Sequence, residues 1–179
     1  VRTGRYAISS SDNMLDVYLR ISRGHQTPIN LSFNNIRTRE QFAQRIGSQL
    51  MIDSAEIADR LSDSAFCARL GYRPETIVSL FIPNTYEMYW NISADEFFER
   101  MQKEHGKFWT KERLDKAQAI GLTPEEVSTL ASIVEEETNN NAEKPMVAGL
   151  YINRLHKGMP LQADPTIKFA LQDFSLKRI

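Results

Sequence analysis

Apolar residues along this chain switch between two spacings, and the switch divides it. Early on the segments are short. Arg5-Tyr6-Ala7-Ile8 reads as a strand, and residues 14–21 read as an amphipathic helical piece. Ile29, Leu31 and Phe33 alternate with polar Asn30 and Ser32, the period of a half-buried strand. Thr38 followed by Gln41 predicts a capping box, opening a helix through Phe42, Ile46 and Leu50. Asp53-Ser54 starts another, carrying Ile57 and Leu61. A loop-rich stretch is predicted from Gly71 to Asn91, with prolines at 74 and 83.

Beyond that stretch the spacing is helical. Ser93 with Glu96 predicts a second capping box, ahead of Phe97, Phe98 and Met101. Thr123-Pro124-Glu125-Glu126 predicts a third, with proline at the first helical position. Asn139-Asn140-Asn141 is expected to end that helix and cap the next, which should bury Val147, Leu150, Tyr151 and Leu155. Gly158 should stop it, with Pro160 and Pro165 marking a loop. The expected fold class is α+β: a small α+β module over 1–68, then a mainly helical part over 69–179.

Composition narrows the function. The 22 basic and 23 acidic residues give a net charge of −1, so no electrostatic argument favours nucleic acid. The lone cysteine, Cys67, excludes an internal disulfide and a zinc site of several thiolates, and reads as a small buried hydrophobe. No apolar run approaches the ~20 residues that span a bilayer. The chain opens on Val1 and closes on Ile179 without an evident terminal element, and reads as a piece of a longer protein, truncated at both ends.

Candidate chemistry lies in SIVEEET, 132–138, where three consecutive glutamates meet the end of a predicted helix. The helix dipole disfavours carboxylates there. On a wheel of ~100° per residue, Glu136 points away from the apolar sector and Glu135 falls at its border, placed to pair with a lysine or arginine. Glu137 follows Leu130 by seven residues and Ile133 by four, so it shares their face. Burial and the dipole would both favour its neutral form, the state a general acid needs. Spacing alone leaves open a buried glutamate held by an arginine. Around it, Arg154 could pair with Glu135 or Glu143, Asp164 could brace the turn before Pro165, and Thr138 could bond its own helix. Tyr86 and Trp90 could stack on sugar or belong to a core. The three histidines, His25, His105 and His156, show no metal spacing and are expected at the surface.

LASIVEEET, VAGLYINRL at 147–155 and GMPLQADPTIKFAL at 158–171 together resemble the YceG-like (MltG) family of endolytic murein transglycosylases. SLFIPNTYEMYW at 79–90 is similar to the start of that family's catalytic part, with Asn84 where the family usually has aspartate, which argues against an acid role there. The resemblance covers roughly 75–172; the first 65 or so residues are similar only in pattern to a LysM-like module. It implies a lytic transglycosylase, a lyase that cuts the bond between N-acetylmuramic acid (MurNAc) and N-acetylglucosamine (GlcNAc) in nascent peptidoglycan and leaves anhydro ends. Glu137 would be its catalytic residue, with Asn153, Gln162, Asp164, Thr166 and Tyr86 as substrate-binding candidates. It further implies a single-pass anchor in the cytoplasmic membrane through an N-terminal helix outside this chain, a catalytic part facing the periplasm or cell wall, and glycan strands and peptidoglycan synthases as partners. No cofactor is expected. A pyridoxal-phosphate lyase, a label the family has carried, would need a phosphate cradle and a lysine on an apolar stripe; the eight glycines are scattered and no such lysine exists. The alternative is a non-catalytic peptidoglycan-binding scaffold, which gains weight because part of the family's active site is expected beyond this chain.

Overall fold

The structure, a computed structural model, describes residues 2–34 and 36–176. Val1 and residues 177–179, the outermost positions of the two expected parts, lie outside the described residues. The chain is α+β and mostly helical, with a small two-stranded sheet among the described residues. It forms two compact units, 1–106 and 107–179.

The first unit is organised by strand β1 (Ile29–Phe33), whose alternation buries Ile29, Leu31 and Phe33 on one face. Its antiparallel partner is β2 (Asn84–Met88), with Leu31 opposite Tyr86 and Ile29 opposite Met88. Between them run α2 (Arg39–Gly47), α3 (Ser54–Ser62), α4 (Ser64–Arg69) and a 3-10 turn, Ile77–Leu80. Thr38, Asp53 and Asp63 accept from backbone N–H groups at the starts of α2, α3 and α4. α5 (Ala94–Phe108) closes the unit, its Ser93–Glu96 box formed in both directions. Ala94, Phe97, Phe98 and Met101 of α5 are buried at the spacing of one helix face. Aromatic rings tie the elements together: Phe42 meets Phe33 at 5.2 Å and Phe81 at 4.1 Å, and Phe66 meets Phe98 at 4.9 Å, edge to face. Cys67 is fully buried, and burial pushes its thiol pKa up. α1 (Met14–Arg23), capped by Asn13, precedes β1.

Three expectations change here. Arg5–Ile8 is not a strand: Arg5 and Ala7 bond to Thr27, and the Ala7 carbonyl takes the Arg20 guanidinium at 2.5 Å, so side chains replace a ladder. The stretch 71–91 is not all loop, since it supplies β2. For the same reason a boundary at 68/69 fails. It would cut β1 from its partner, and the division falls at 106/107.

The second unit is helical: α6 (Lys111–Ala119), α7 (Pro124–Glu137), α8 (Lys144–His156) and α9 (Asp164–Leu171). α7 contacts α6, α8 and α9, and the core is Leu130, Val134, Tyr151 and Ala163. Val147 is half-buried, while Leu150 and Leu155, expected inside, are 50% and 41% exposed. α8 has few elements to pack against within this unit, so its buried face narrows to Tyr151. Glu143, not an asparagine, is the N-cap residue of α8; Asn140 instead accepts from Ala142 N within the turn. Gly158, at φ 64°, ends α8 in the left-handed conformation that favours glycine.

Two predictions follow from the first unit. Phe97 is fully buried among Phe42, Phe81 and Phe98. Phe97→Ala should cost this unit about 3–5 kcal/mol, seen as an earlier urea transition. His25 and His156 are exposed as expected, but His105 is not: it is half-buried, with Nε2 3.2 Å from the Tyr72 hydroxyl, and burial holds its pKa below 6.5. The unfolded chain therefore binds the proton more readily. The stabilisation is complete above the unfolded value and is lost as pH falls from 6.5 toward the folded value. Melting temperature should decline through that window, and His105→Gln should flatten the decline.

Candidate active site

Glu137 owes its position to the helix that ends on it. Thr123 accepts from Glu126 N at 3.2 Å, while the Glu126 carboxylate accepts from Thr123 N at 2.8 Å, so both halves of the box start α7. Leu130 and Val134, four residues apart, press into the core and fix the rotation of α7. Its last residue is Glu137, and Thr138 leaves the helix with extended backbone.

The turn into α8 is braced by side chains. Thr138 Oγ1 donates to Glu143 Oε2 at 2.8 Å and accepts from Asn140 N at 3.0 Å, and Asn140 Nδ2 donates to Glu143 Oε1 at 2.9 Å. Lys144 Nζ meets Glu135 Oε2 at 2.5 Å, the border pairing the wheel predicts. Glu143 is thus occupied by Thr138 and Asn140. Arg154, a candidate partner for Glu135 or Glu143, instead donates from Nη1 to the Leu161 carbonyl, tying α8 to the loop before α9.

From α8, the buried Tyr151 sends its hydroxyl to Glu137 Oε1 at 2.6 Å. Burial, first, and then the hydrogen bond to Glu137 and that carboxylate's charge push the phenol pKa up to about 12; Arg154 opposes the shift and Asp164 adds to it. Glu137, Arg154 and Asp164 thus all act on Tyr151, whose ring packs with Leu130, Val134 and Ala163.

The wheel gives the face of Glu137 correctly but not its surroundings. Glu137 is exposed rather than buried. Its carboxyl is exposed and anchored at one oxygen by Tyr151, whose ring belongs to the apolar cluster. Glu136 is exposed.

Asn153, Gln162, Asp164 and Thr166 all belong to this second unit and are exposed. Gln162 has a positive φ of 53°, and Asp164 opens α9. The Thr166 hydroxyl is already used, donating to the Ala163 carbonyl at 2.7 Å. Tyr86 is different. It belongs to the first unit, is 5% exposed, packs 5.5 Å from Phe33 and donates to the Ile82 carbonyl at 2.5 Å. It is a core residue, with neither face nor hydroxyl offered to a sugar. Trp90 packs against the same core. The polar partner that sequence reasoning missed is Tyr151, taken only as a core position. Its signal was a phenol on an otherwise aliphatic stripe, since a buried tyrosine hydroxyl usually finds a partner.

Among known proteins, the YceG-like family profile matches residues 1–179. An endolytic murein transglycosylase of Bacillus subtilis is 48% identical over 42 residues, 24% of this chain and 12% of that protein. An endolytic murein transglycosylase of Streptococcus pneumoniae is 25% identical over 206 residues, covering 95% of this chain and 35% of its own length. A crystal structure of a YceG-like protein from Listeria monocytogenes superposes with a TM-score of 0.67 at 26% identity, over 97% of this chain and 62% of that one. The chain thus spans about a third of the length of the pneumococcal protein. With the match running from its first residue to its last, the chain belongs to the YceG-like family.

Proposed function

We propose that this chain carries the catalytic glutamate of an endolytic lytic transglycosylase acting on nascent peptidoglycan. The observation that carries the reading is Glu137, exposed on the last residue of α7 and anchored through Oε1 by Tyr151. The family membership and the name borne by the Bacillus and pneumococcal relatives support the substrate class.

The chemistry needs a single carboxyl. Most glycosidases use two, one as acid and one as nucleophile or base. Here Glu137, protonated on Oε2, gives that proton to the glycosidic oxygen as the bond to MurNAc C1 breaks. The GlcNAc end leaves as an alcohol, and positive charge develops at C1 and the ring oxygen. The Glu137 carboxylate then takes the proton of the muramoyl C6 hydroxyl while O6 closes on C1. The carboxyl ends protonated, as it began, and the product is an anhydro end. No water is consumed, so the reaction is a lyase reaction.

Asn153, Gln162 and Asp164, exposed on α8 and on the loop into α9, are the sugar-holding candidates. In the first unit, the LysM-like reading falls on the run from β1 through α2, α3 and α4 to β2, where α2 packs on both α3 and β1. Peptidoglycan synthases remain the proposed partner class. The parent protein is proposed to sit in the cytoplasmic membrane through an N-terminal helix outside this chain, with this segment facing the cell wall. Among the described residues, no helix is long and apolar enough to cross a membrane.

The test is digestion of purified sacculi by the full-length protein. Wild type should release anhydro-muropeptides; reducing ends would indicate a hydrolase, and retention without cleavage the scaffold. Glu137→Gln should lose activity by at least about 10²–10⁴-fold with an unchanged melting temperature, since the amide cannot give and retake the proton. Glu136→Gln, altering an exposed side chain, should stay near wild type. Glu135→Gln should fall between, through the broken pair with Lys144. A normal Glu137→Gln beside a dead Glu135→Gln would move the catalytic acid to Glu135.

A further inference from the structure

A glutamate on the last residue of a helix, exposed to water, has no intrinsic reason to hold one rotamer. Proton transfer demands one: donor and acceptor must come within about 2.6–3.2 Å of each other. Something must select the orientation of the Glu137 carboxyl, and among the described residues the Tyr151 hydroxyl is placed to do it.

We propose that Tyr151 is the positioning residue for Glu137, its hydroxyl holding Oε1 so that Oε2 alone faces the glycosidic and C6 oxygens. This rests on the transglycosylase reading of Glu137. Three observations carry it. The hydroxyl lies 2.6 Å from Oε1, a short contact for an O–H donor on a carboxylate. The ring is 5% exposed within the Leu130, Val134 and Ala163 cluster, so packing keeps the donor in place. And the spacing of α7 and α8 is set independently of that bond, by the Glu135–Lys144 pair and by Thr138 and Asn140 on Glu143. Tyr151 and Glu137 are therefore brought together by the frame rather than by each other.

The bond suits both halves of the reaction. With the proton on Oε2, Oε1 is a carbonyl-type acceptor; after the proton leaves, it is a carboxylate oxygen. The phenol donates in each case and keeps its own proton throughout, so no proton is gained or lost at Tyr151. Its pKa, raised to about 12, keeps it a donor across the working range of the enzyme.

The experiment compares full-length wild type, Tyr151→Phe, Glu137→Gln and the double variant on purified, uncross-linked glycan strands, with kcat, KM and melting temperature measured. Tyr151→Phe keeps the ring and its packing and removes only the hydroxyl. The expected result is a kcat lower by about 10–100-fold, the scale of a misplaced reacting group, with KM within about twofold and melting nearly unchanged. In the double variant the second substitution should add nothing to the loss from Glu137→Gln, because Tyr151 acts through that carboxyl. A wild-type kcat for Tyr151→Phe beside an inactive Glu137→Gln overturns this proposal and leaves the catalytic glutamate standing. An active Glu137→Gln removes the reading beneath it. A rise in KM at constant kcat makes Tyr151 a substrate contact, and loss of the folding transition makes its hydroxyl a fold element; either result overturns the positioning role.

Discussion

Burial of one face of α7 is the constraint on which the second unit turns. Leu130 and Val134 have to leave water, and the surfaces that receive them are Tyr151 of α8 and Ala163 ahead of α9. Once those contacts form, the rotation of α7 is fixed, and with it the side of the helix from which its last residue leaves. Glu137 is thereby delivered to the rim of the apolar cluster, beside a phenol buried within it. The same packing that stabilises the unit therefore brings its candidate acid beside the phenol that holds it.

Polar groups then lock what packing has placed. Three carboxylates around the turn have separate tasks: Glu135 pairs with Lys144, Glu143 receives Thr138 and Asn140, and Glu137 receives Tyr151. This answers the oddity of three glutamates at a helix end, where the dipole disfavours each of them. Glu135 and Glu137 are each compensated by a specific donor from the next helix. The cost of acidic residues there is offset locally, which allows one of them to be retained for chemistry.

Legibility of the sequence followed the range of each interaction. Helix starts were readable because caps are local: Thr38, Asp53, Ser93 and Thr123 all bond within their own first turns. β1 was readable from its alternation, but β2 was not. Asn84-Thr85-Tyr86-Glu87-Met88 becomes a strand only through a ladder with residues more than fifty positions earlier, and that distance also moved the unit boundary. The reverse holds for Arg5–Ile8, whose strand-like composition lacks a partner strand and is satisfied by Thr27 and Arg20. At the site, the wheel gave a direction for Glu137 without telling what lies there. It was buried in expectation and is exposed in fact, with Tyr151 bonded to one of its oxygens. Tyr86, offered as a sugar wall, fills the first unit's core, since its place opposite Leu31 was hidden with β2.

The central claim is that Glu137 drives an intramolecular closure in which the substrate's own C6 hydroxyl, not water, reaches C1. Digestion of glycan strands by the full-length protein in oxygen-18-labelled water, followed by mass analysis of the new MurNAc ends, tests it most directly. The predicted result is anhydro ends that carry no label. Reducing ends bearing oxygen-18 would show that water attacked C1, and would contradict both the single-carboxyl mechanism and the role given to Glu137 in it.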